Sequence, residues 1–293
     1  MNLRDLQYLV ALAETGHFGE AAERCHVSQP TLSAQIKKLE EYLGVQLFER
    51  QPRKVSVTDV GRRIVDRARL VVRQAEDIRE VARASRDPLT GKLRVGLIPT
   101  IAPYLLPRVA PRLKSRLPDL QLMLYEYQTG PLLEKLRAGE LDLAILALPS
   151  DTAGLETRSL FAESFVVAMP RGHRLAARKR LKPADLAGET LLLLEDGHCL
   201  KDHALAACNR PELRASATMI GTSLHTLVQM VDNGLGLTML PEMALDAGIL
   251  TGTDVVARPL KAANANREIA LVWRKNSPRA EEFKLLAEEL RAG

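Results

Sequence analysis

Residues 17–45 read HFGEAAERCHVSQPTLSAQIKKLEEYLGV, two helices separated by a tight turn. The small pair Ala21-Ala22 permits close helix packing, and His26-Val27 supplies the turn. Ser28 is a good N-cap for a second helix that starts at Gln29-Pro30, where the missing proline amide costs nothing. Leu32, Ile36, Leu39 and Leu43 face inward at helical spacing, and Gly44 ends the helix. Thr31, Gln35 and Lys38 lie on the outer face. Gln29, Thr31, Ser33 and Gln35 both donate and accept hydrogen bonds, which suits base edges in a major groove.

Outward from this stretch, Leu6, Leu9, Val10 and Ala13 form the apolar stripe of a preceding helix. Downstream, Phe48 to Arg50 and Val55 to Val57 predict a short hairpin. Its tip, Gln51-Pro52-Arg53-Lys54, lays positive charge beside a nucleic-acid backbone or in a minor groove. A polar helix face taken singly is usually just solvated. The ordered combination of helix pair, cap and basic wing points to DNA, with Gln29, Pro30, Thr31, Ser33, Gln35, Lys38, Arg50, Arg53 and Lys54 as candidate contacts.

From Thr58 to about Arg86 there is no proline, and Ile64, Ala68, Val71, Ala75, Ile78 and Ala82 step 4, 3, 4, 3, 4. That is an a/d seam. A helix capped by Thr58 would run about 40 Å at ~1.5 Å per residue, too long to stand without a partner. It is expected to pair with its copy in a second subunit; packing on its own chain is the alternative.

Asp87-Pro88-Leu89-Thr90-Gly91 breaks the helix, and strands then alternate with helices. Strands are expected over 93–98, 120–125, 141–148, 165–169, 191–194, 236–240 and 269–273. Helices are expected over 103–116, 130–138, 200–207, 223–233 and 278–291. Two α/β lobes with a cleft between them fit this order, and ligands in such folds sit at strand carboxyl ends beside helix N-termini.

The chain has 293 residues, a formal charge of +5 and three cysteines. Residues 1–87 carry 15 Lys+Arg against 13 Asp+Glu, so the useful charge signal is local. Arg50 to Arg73 holds eight basic residues against Asp59 and Asp66, a run able to face phosphates, although most such runs are solvated faces. No signal peptide or transmembrane run is read, so the protein is expected to be cytoplasmic, without a membrane partner. In a reducing compartment any disulfide is conditional.

The N-terminal stretch resembles the LysR-type transcriptional regulators. The matching residues are Phe18, Ala21-Ala22, Val27 to Ser33, Ile36, Leu39-Glu40, Leu43-Gly44-Val45, Leu47, Phe48, Arg50, Thr58 and Gly61. The resemblance implies a non-enzymatic regulator of α plus α/β class. Residues 1–58 form a winged helix-turn-helix, 59–87 a linker and dimerisation helix, and 88–293 a periplasmic-binding-protein-like regulatory domain. Its first lobe covers about 88–163 plus 268–293, its second about 164–267. Double-stranded promoter DNA, RNA polymerase and a homodimeric or homotetrameric assembly are the implied partners.

In the second half, Glu195-Asp196-Gly197-His198-Cys199-Leu200-Lys201-Asp202 ends a strand and enters a helix, and Cys208 follows nine positions after Cys199. A sensing thiol needs nearby positive charge, a helix N-terminus or hydrogen-bond donors. His198, Lys201 and the strand-to-helix junction are the expected sources. On an intact helix the two cysteines stand about 13 Å apart, whereas a disulfide needs Cα atoms within about 7 Å, so bonding requires unwinding. Two such cysteines are more often unrelated buried residues. Cys199, His203 and Cys208 offer three zinc ligands, but no fourth falls at zinc-finger spacing, and neither metal nor cofactor is expected.

Gly96 to Thr100, Pro103 to Pro107, Leu193 to Leu200, Asp202 and Cys208 are similar to the peroxide-sensing members of that family. This resemblance implies that Cys199 is peroxidatic and Cys208 resolving, with Thr100, Thr129, His198, Asp202 and Arg267 around hydrogen peroxide. It also implies a thiol reductant of glutaredoxin or thioredoxin type and activation of antioxidant genes. A regulator responding to a small organic effector is the alternative, with a thiol peroxidase further behind.

Overall fold

The computed structural model describes residues 1–51, 54–84, 86–209 and 220–291. Arg53, one of the expected wing contacts, lies outside the described residues, as do the side chains of Arg50 and Lys54. The chain divides into two compact units, Met1–Arg86 and Asp87–Gly293.

In the first unit, α1 (Leu3–Thr15) opens on a capping box between Asn2 and Asp5 and stops at Gly16, whose φ of 63° suits glycine. Helix α2 (Phe18–Arg24) and α3 (Gln29–Leu43) follow, the latter capped by Ser28, which accepts from the Thr31 amide at 3.3 Å. Leu9, Leu12, Ala21, Leu32, Ile36 and Phe48 close the core. Glu40 accepts from the amides of Leu47 and Phe48, at 2.8 and 3.2 Å. It thereby ties α3 to the hairpin of β1 (Phe48–Gln51) and β2 (Lys54–Val57).

Helix α4 (Asp59–Ala84) starts at Thr58, whose hydroxyl accepts from the Gly61 amide at 2.9 Å. Part of the expected seam packs within the chain itself. Ala68 is buried in the unit's own core and Ile64 packs against it, alongside Val65 and Val72. Ala75 is half-buried; Val71, Ile78 and Ala82 are exposed. The physical reason is that α1 offers an apolar face to the first half of α4, so packing within the chain takes the residues nearest to it.

In the second unit the strands are β3 (Gly91–Leu97), β4 (Leu120–Glu126), β5 (Leu143–Leu148), β6 (Leu155–Pro170), β7 (Leu193–Leu194), β8 (Ile220–Gly221), β9 (Thr238–Pro241), β10 (Val255–Pro259) and β11 (Asn266–Arg274). Among the described residues a seven-stranded sheet runs β10-β6-β11-β5-β3-β4, with β9 also on β6. Strand β3 pairs in parallel with β4 and β5, as crossover helices require. These are α5 (Ala102–Arg116) and α6 (Thr129–Arg137). Helices α7 (Cys199–Cys208), α8 (Leu224–Asp232), α9 (Glu242–Asp246) and α10 (Ala280–Arg291) complete the unit.

Two differences from the sequence reading bear on the site. Strand β6 is 16 residues long, where the apolar run marked only 165–169, because its first half mixes charged and polar residues with apolar ones and is held by pairing with β11. The expected lobe boundaries at 163/164 and 267/268 therefore fall inside continuous strands. Glu163 and Arg267 are direct cross-strand partners at that point.

Candidate functional site

Helix α3 presents Gln29, Pro30, Thr31 and Lys38 to solvent, while Ser33 and Gln35 are half-buried. Buried Leu32, Ile36 and Leu39 hold the opposite face, so the polar residues are displayed on a rigid element.

The second site is built at the junction of β7 with α7. Leu193 and Leu194 pair in parallel with Ile220 and Gly221 and hold the strand in place. The chain then turns at Gly197, whose φ is 96° and whose α-carbon lies against the Gln128 amide, leaving no room for a β-carbon. Cys199 is the first helical residue and Cys208 the last. All three cysteines of the chain are thiols. A cleft of about 480 Å³ opens beside Cys199, lined by Thr129 and Leu133 of α6, by Pro149, and by His198, Lys201 and Asp202.

Burial pushes the Cys199 thiol up; the Arg267 guanidinium and the Thr129 hydroxyl pull it back, Asp202 raises it further, and the Ala147 backbone lowers it. The cation is therefore Arg267, not His198 or Lys201 as expected. Lys201 is buried with its ammonium 2.8 Å from Asp196. Burial lowers the pKa of His198 and favours its neutral form, against the opposing pull of Glu195. Its Nε2 lies 3.3 Å from Gln128 Nε2, which itself donates to Glu195 at 2.9 Å.

Arg267 is fully buried and held on three sides. Its Nε donates to Glu163 Oε2 at 2.7 Å, Nη1 to the Thr100 hydroxyl at 2.9 Å and Nη2 to the Thr100 carbonyl at 3.0 Å. A hydroxyl that accepts from arginine keeps its own proton to donate elsewhere. Gln128 occupies the N-cap position of α6. The Thr129 hydroxyl is buried without a hydrogen-bond partner, borders the cleft beside Cys199 and favours its thiolate.

Cys208, at the far end of α7, is buried and its thiol donates to Met239 Sδ at 3.2 Å. Nine helical residues from Cys199 place it about 13 Å away. The same helix separates the three ligands of the zinc alternative. Among the described residues no three His, Cys, Asp or Glu side chains are grouped to hold a metal.

Residues 3–62 match the model of bacterial regulatory helix-turn-helix proteins of the lysR family, and residues 86–293 match that of the LysR substrate binding domain. The chain belongs to the LysR family. This LysR-family regulator is 45% identical over 292 residues to the DNA-binding transcriptional dual regulator OxyR of Escherichia coli K12, covering 100% of this chain and 95% of that one. It is similar in structure to full-length OxyR from Pseudomonas aeruginosa, a cysteine-to-aspartate variant. The TM-score is 0.80 at 43% identity, over 99% of this chain and 98% of that one. A Corynebacterium glutamicum OxyR cysteine mutant with hydrogen peroxide bound gives a TM-score of 0.68 at 38% identity, over 99% and 92%. The LysR family is one of transcriptional regulators, not enzymes. Among the described residues no helix is long and apolar enough to cross a membrane.

In this LysR-family regulator the sequence reading missed Gln128, Glu163 and Met239. Glu163 carried a signal, a lone acid inside the apolar run 160–169. His203 was weighed only as a zinc ligand. It is buried with Nδ1 unpartnered, and burial together with Arg267 lowers its pKa. His198 and His203 thus stay neutral when folded, while in the unfolded chain they take up protons as pH falls through about 6.5. Their contribution to stability is present above that pH and is lost as pH falls through it toward the lower folded values. His203→Gln is expected to reduce this acid loss. Urea midpoints at pH 7.5 and 5.5 check it, and an undiminished drop in the variant would remove His203 from the account.

Proposed function

We propose that this regulator senses hydrogen peroxide at Cys199 and, once a Cys199–Cys208 disulfide has formed, activates antioxidant genes from double-stranded promoter DNA. The observation that carries this reading is the meeting of Cys199 with Arg267 and Thr129 at the start of α7, in a chain similar over its full length to OxyR proteins.

The Cys199 thiolate attacks one peroxide oxygen, the O–O bond breaks, and the departing hydroxide takes a proton to become water. The Thr100 and Thr129 hydroxyls supply donors for the peroxide, Arg267 favours the thiolate, and Asp202 and His198 border the entrance. Cys208 then loses its proton and attacks the sulfur of the Cys199 sulfenic acid, the S–O bond breaks, and the departing hydroxide takes that proton to leave as a second water. Because the thiols sit at opposite ends of α7, this step must unwind the helix, which converts a two-electron oxidation into a change of shape. A cytoplasmic dithiol of glutaredoxin or thioredoxin type returns the two electrons. The exposed Val71, Ile78 and Ala82 serve the dimer, two dimers form the tetramer, and the oxidised form engages RNA polymerase.

Peroxide titration of the reduced protein, with disulfide mapping by mass spectrometry and DNA footprinting on the same samples, tests this. Cys208→Ser is expected to leave a trappable sulfenate on Cys199, no disulfide, and a footprint locked in the reduced pattern. Induction by peroxide that persists undiminished in Cys208→Ser would favour an effector acting without thiol chemistry.

A further inference from the structure

We propose that Glu163 is a positioning residue that fixes the Arg267 guanidinium against the Cys199 site, and that this role requires a carboxylate. The geometry stands independently; its consequence for peroxide rests on the sensing function proposed above.

Glu163 lies directly across from Arg267 in the β6–β11 ladder, with its side chain 4% exposed against 0% for Arg267. Its two oxygens serve two donors. Oε2 accepts from Arg267 Nε at 2.7 Å, and Oε1 accepts from the backbone amide of Met243, in the first turn of α9, at 2.9 Å. The other two guanidinium nitrogens are spent on Thr100, and the guanidinium carbon stands 5.9 Å from the Phe165 ring centre. Glu163 thus joins α9 and β6 to a cation that reaches across to the β3–α5 connection.

A glutamine offers one acceptor and one donor group where the site presents two donors. The two donors differ in freedom. Met243 belongs to a backbone held by the pairing of β9 with β6, whereas Arg267 has rotatable side-chain bonds. In Glu163→Gln the side-chain amide oxygen therefore goes to Met243, the NH2 confronts Arg267 Nε, and the guanidinium turns away. The Cys199 thiol then loses its main favourable charge. The other groups acting on it, the Thr129 hydroxyl from α6, Asp202 from α7 and the Ala147 backbone, are untouched.

The test uses the full chain carrying Cys25→Ser and Cys208→Ser, so that Cys199 is the only thiol, with iodoacetamide alkylation followed against pH. Glu163→Gln is expected to move the midpoint of the rate profile to higher pH, with an alkaline plateau within about twofold of the parent. The rate at pH 7 should fall about tenfold, as a tenfold smaller thiolate fraction requires. Glu163→Asp, which restores both acceptors, should recover most of that loss. An unmoved midpoint, or a plateau that falls while the midpoint holds, overturns the proposal and leaves Glu163 a purely structural residue. If Glu163→Gln does not fold, Glu163→Met, which offers Arg267 no carboxylate, decides in its place: an upward move of the midpoint supports the role and an unmoved midpoint overturns it. Because alkylation needs no peroxide, a shifted midpoint in a protein unreactive toward peroxide would reject the sensing function while keeping the positioning role.

Discussion

Cys199→Ser is expected to slow the reaction with hydrogen peroxide by roughly three orders of magnitude or more, the scale on which catalysts fail when their nucleophile is removed. A serine hydroxyl stays protonated in a site whose burial already holds the thiol up, and Arg267 cannot compensate. Oxygen for sulfur is a small change at the first position of α7, so helix content and DNA binding by the unoxidised protein should match the parent. Stopped-flow mixing with peroxide and footprints taken afterwards check this. Cys25→Ser is the control and should react like the parent, since Cys25 is half-buried with its thiol also raised by burial. A peroxide-dependent footprint surviving in Cys199→Ser at the parent's peroxide concentration would exclude Cys199 as the sensor.

The second large effect belongs to Arg267→Met. The Glu163 carboxylate is then buried without its countercharge, a loss of roughly 3–5 kcal/mol for a broken interior pair. For a unit of about 200 residues this lowers the thermal midpoint by about 10 °C. Adding Glu163→Gln removes the stranded charge while keeping an acceptor for the Met243 amide, so the double variant should regain most of the lost stability. Its Cys199 should nevertheless stay slow, because stability returns without the cation. This non-additivity is the signature of residues acting as one unit. Calorimetry of the four proteins in the cycle provides the measurement; a double variant no more stable than Arg267→Met would show that the stranded carboxylate is not the cause.

Much of the architecture was legible because its signals are local. Ser28 and Thr58 are followed at helical spacing by their apolar partners, Gly44 ends its helix in the left-handed region, and α7 runs from Cys199 to Cys208 where the sequence suggested a helix over 200–207. The wing and the strands 93–98, 120–125 and 269–273 were equally plain from alternation and flanking turns. The first half of β6 was not, because residues 155–164 mix arginine, glutamate and serine with their apolar positions and carry no clean period. The alternating seam of α4 was visible, yet its allocation was not: the pattern does not say whether α1 or a second subunit takes Ile64 and Ala68.

The candidate site divides in the same way. Cys199 and Cys208 stood out by type and by position at the two ends of the expected helix, whereas Thr100, Thr129 and Arg267 entered through the family resemblance. The identity of the charge on Cys199 did not stand out, because the nearest cations in sequence, His198 and Lys201, are neutralised or spoken for by groups the fold brings beside them.

By itself, the sequence determined the helix pair, its caps, the hairpin, the long fourth helix and the helix that separates the two thiols. Each depends on residues within a few positions of one another. Only the tertiary structure decided that Arg267 serves Cys199, that Glu163 holds Arg267 from 104 residues away, and that Thr100 meets it from 167. Those meetings depend on the register of β6 against β11, where a slip of one residue would turn both side chains to the other face.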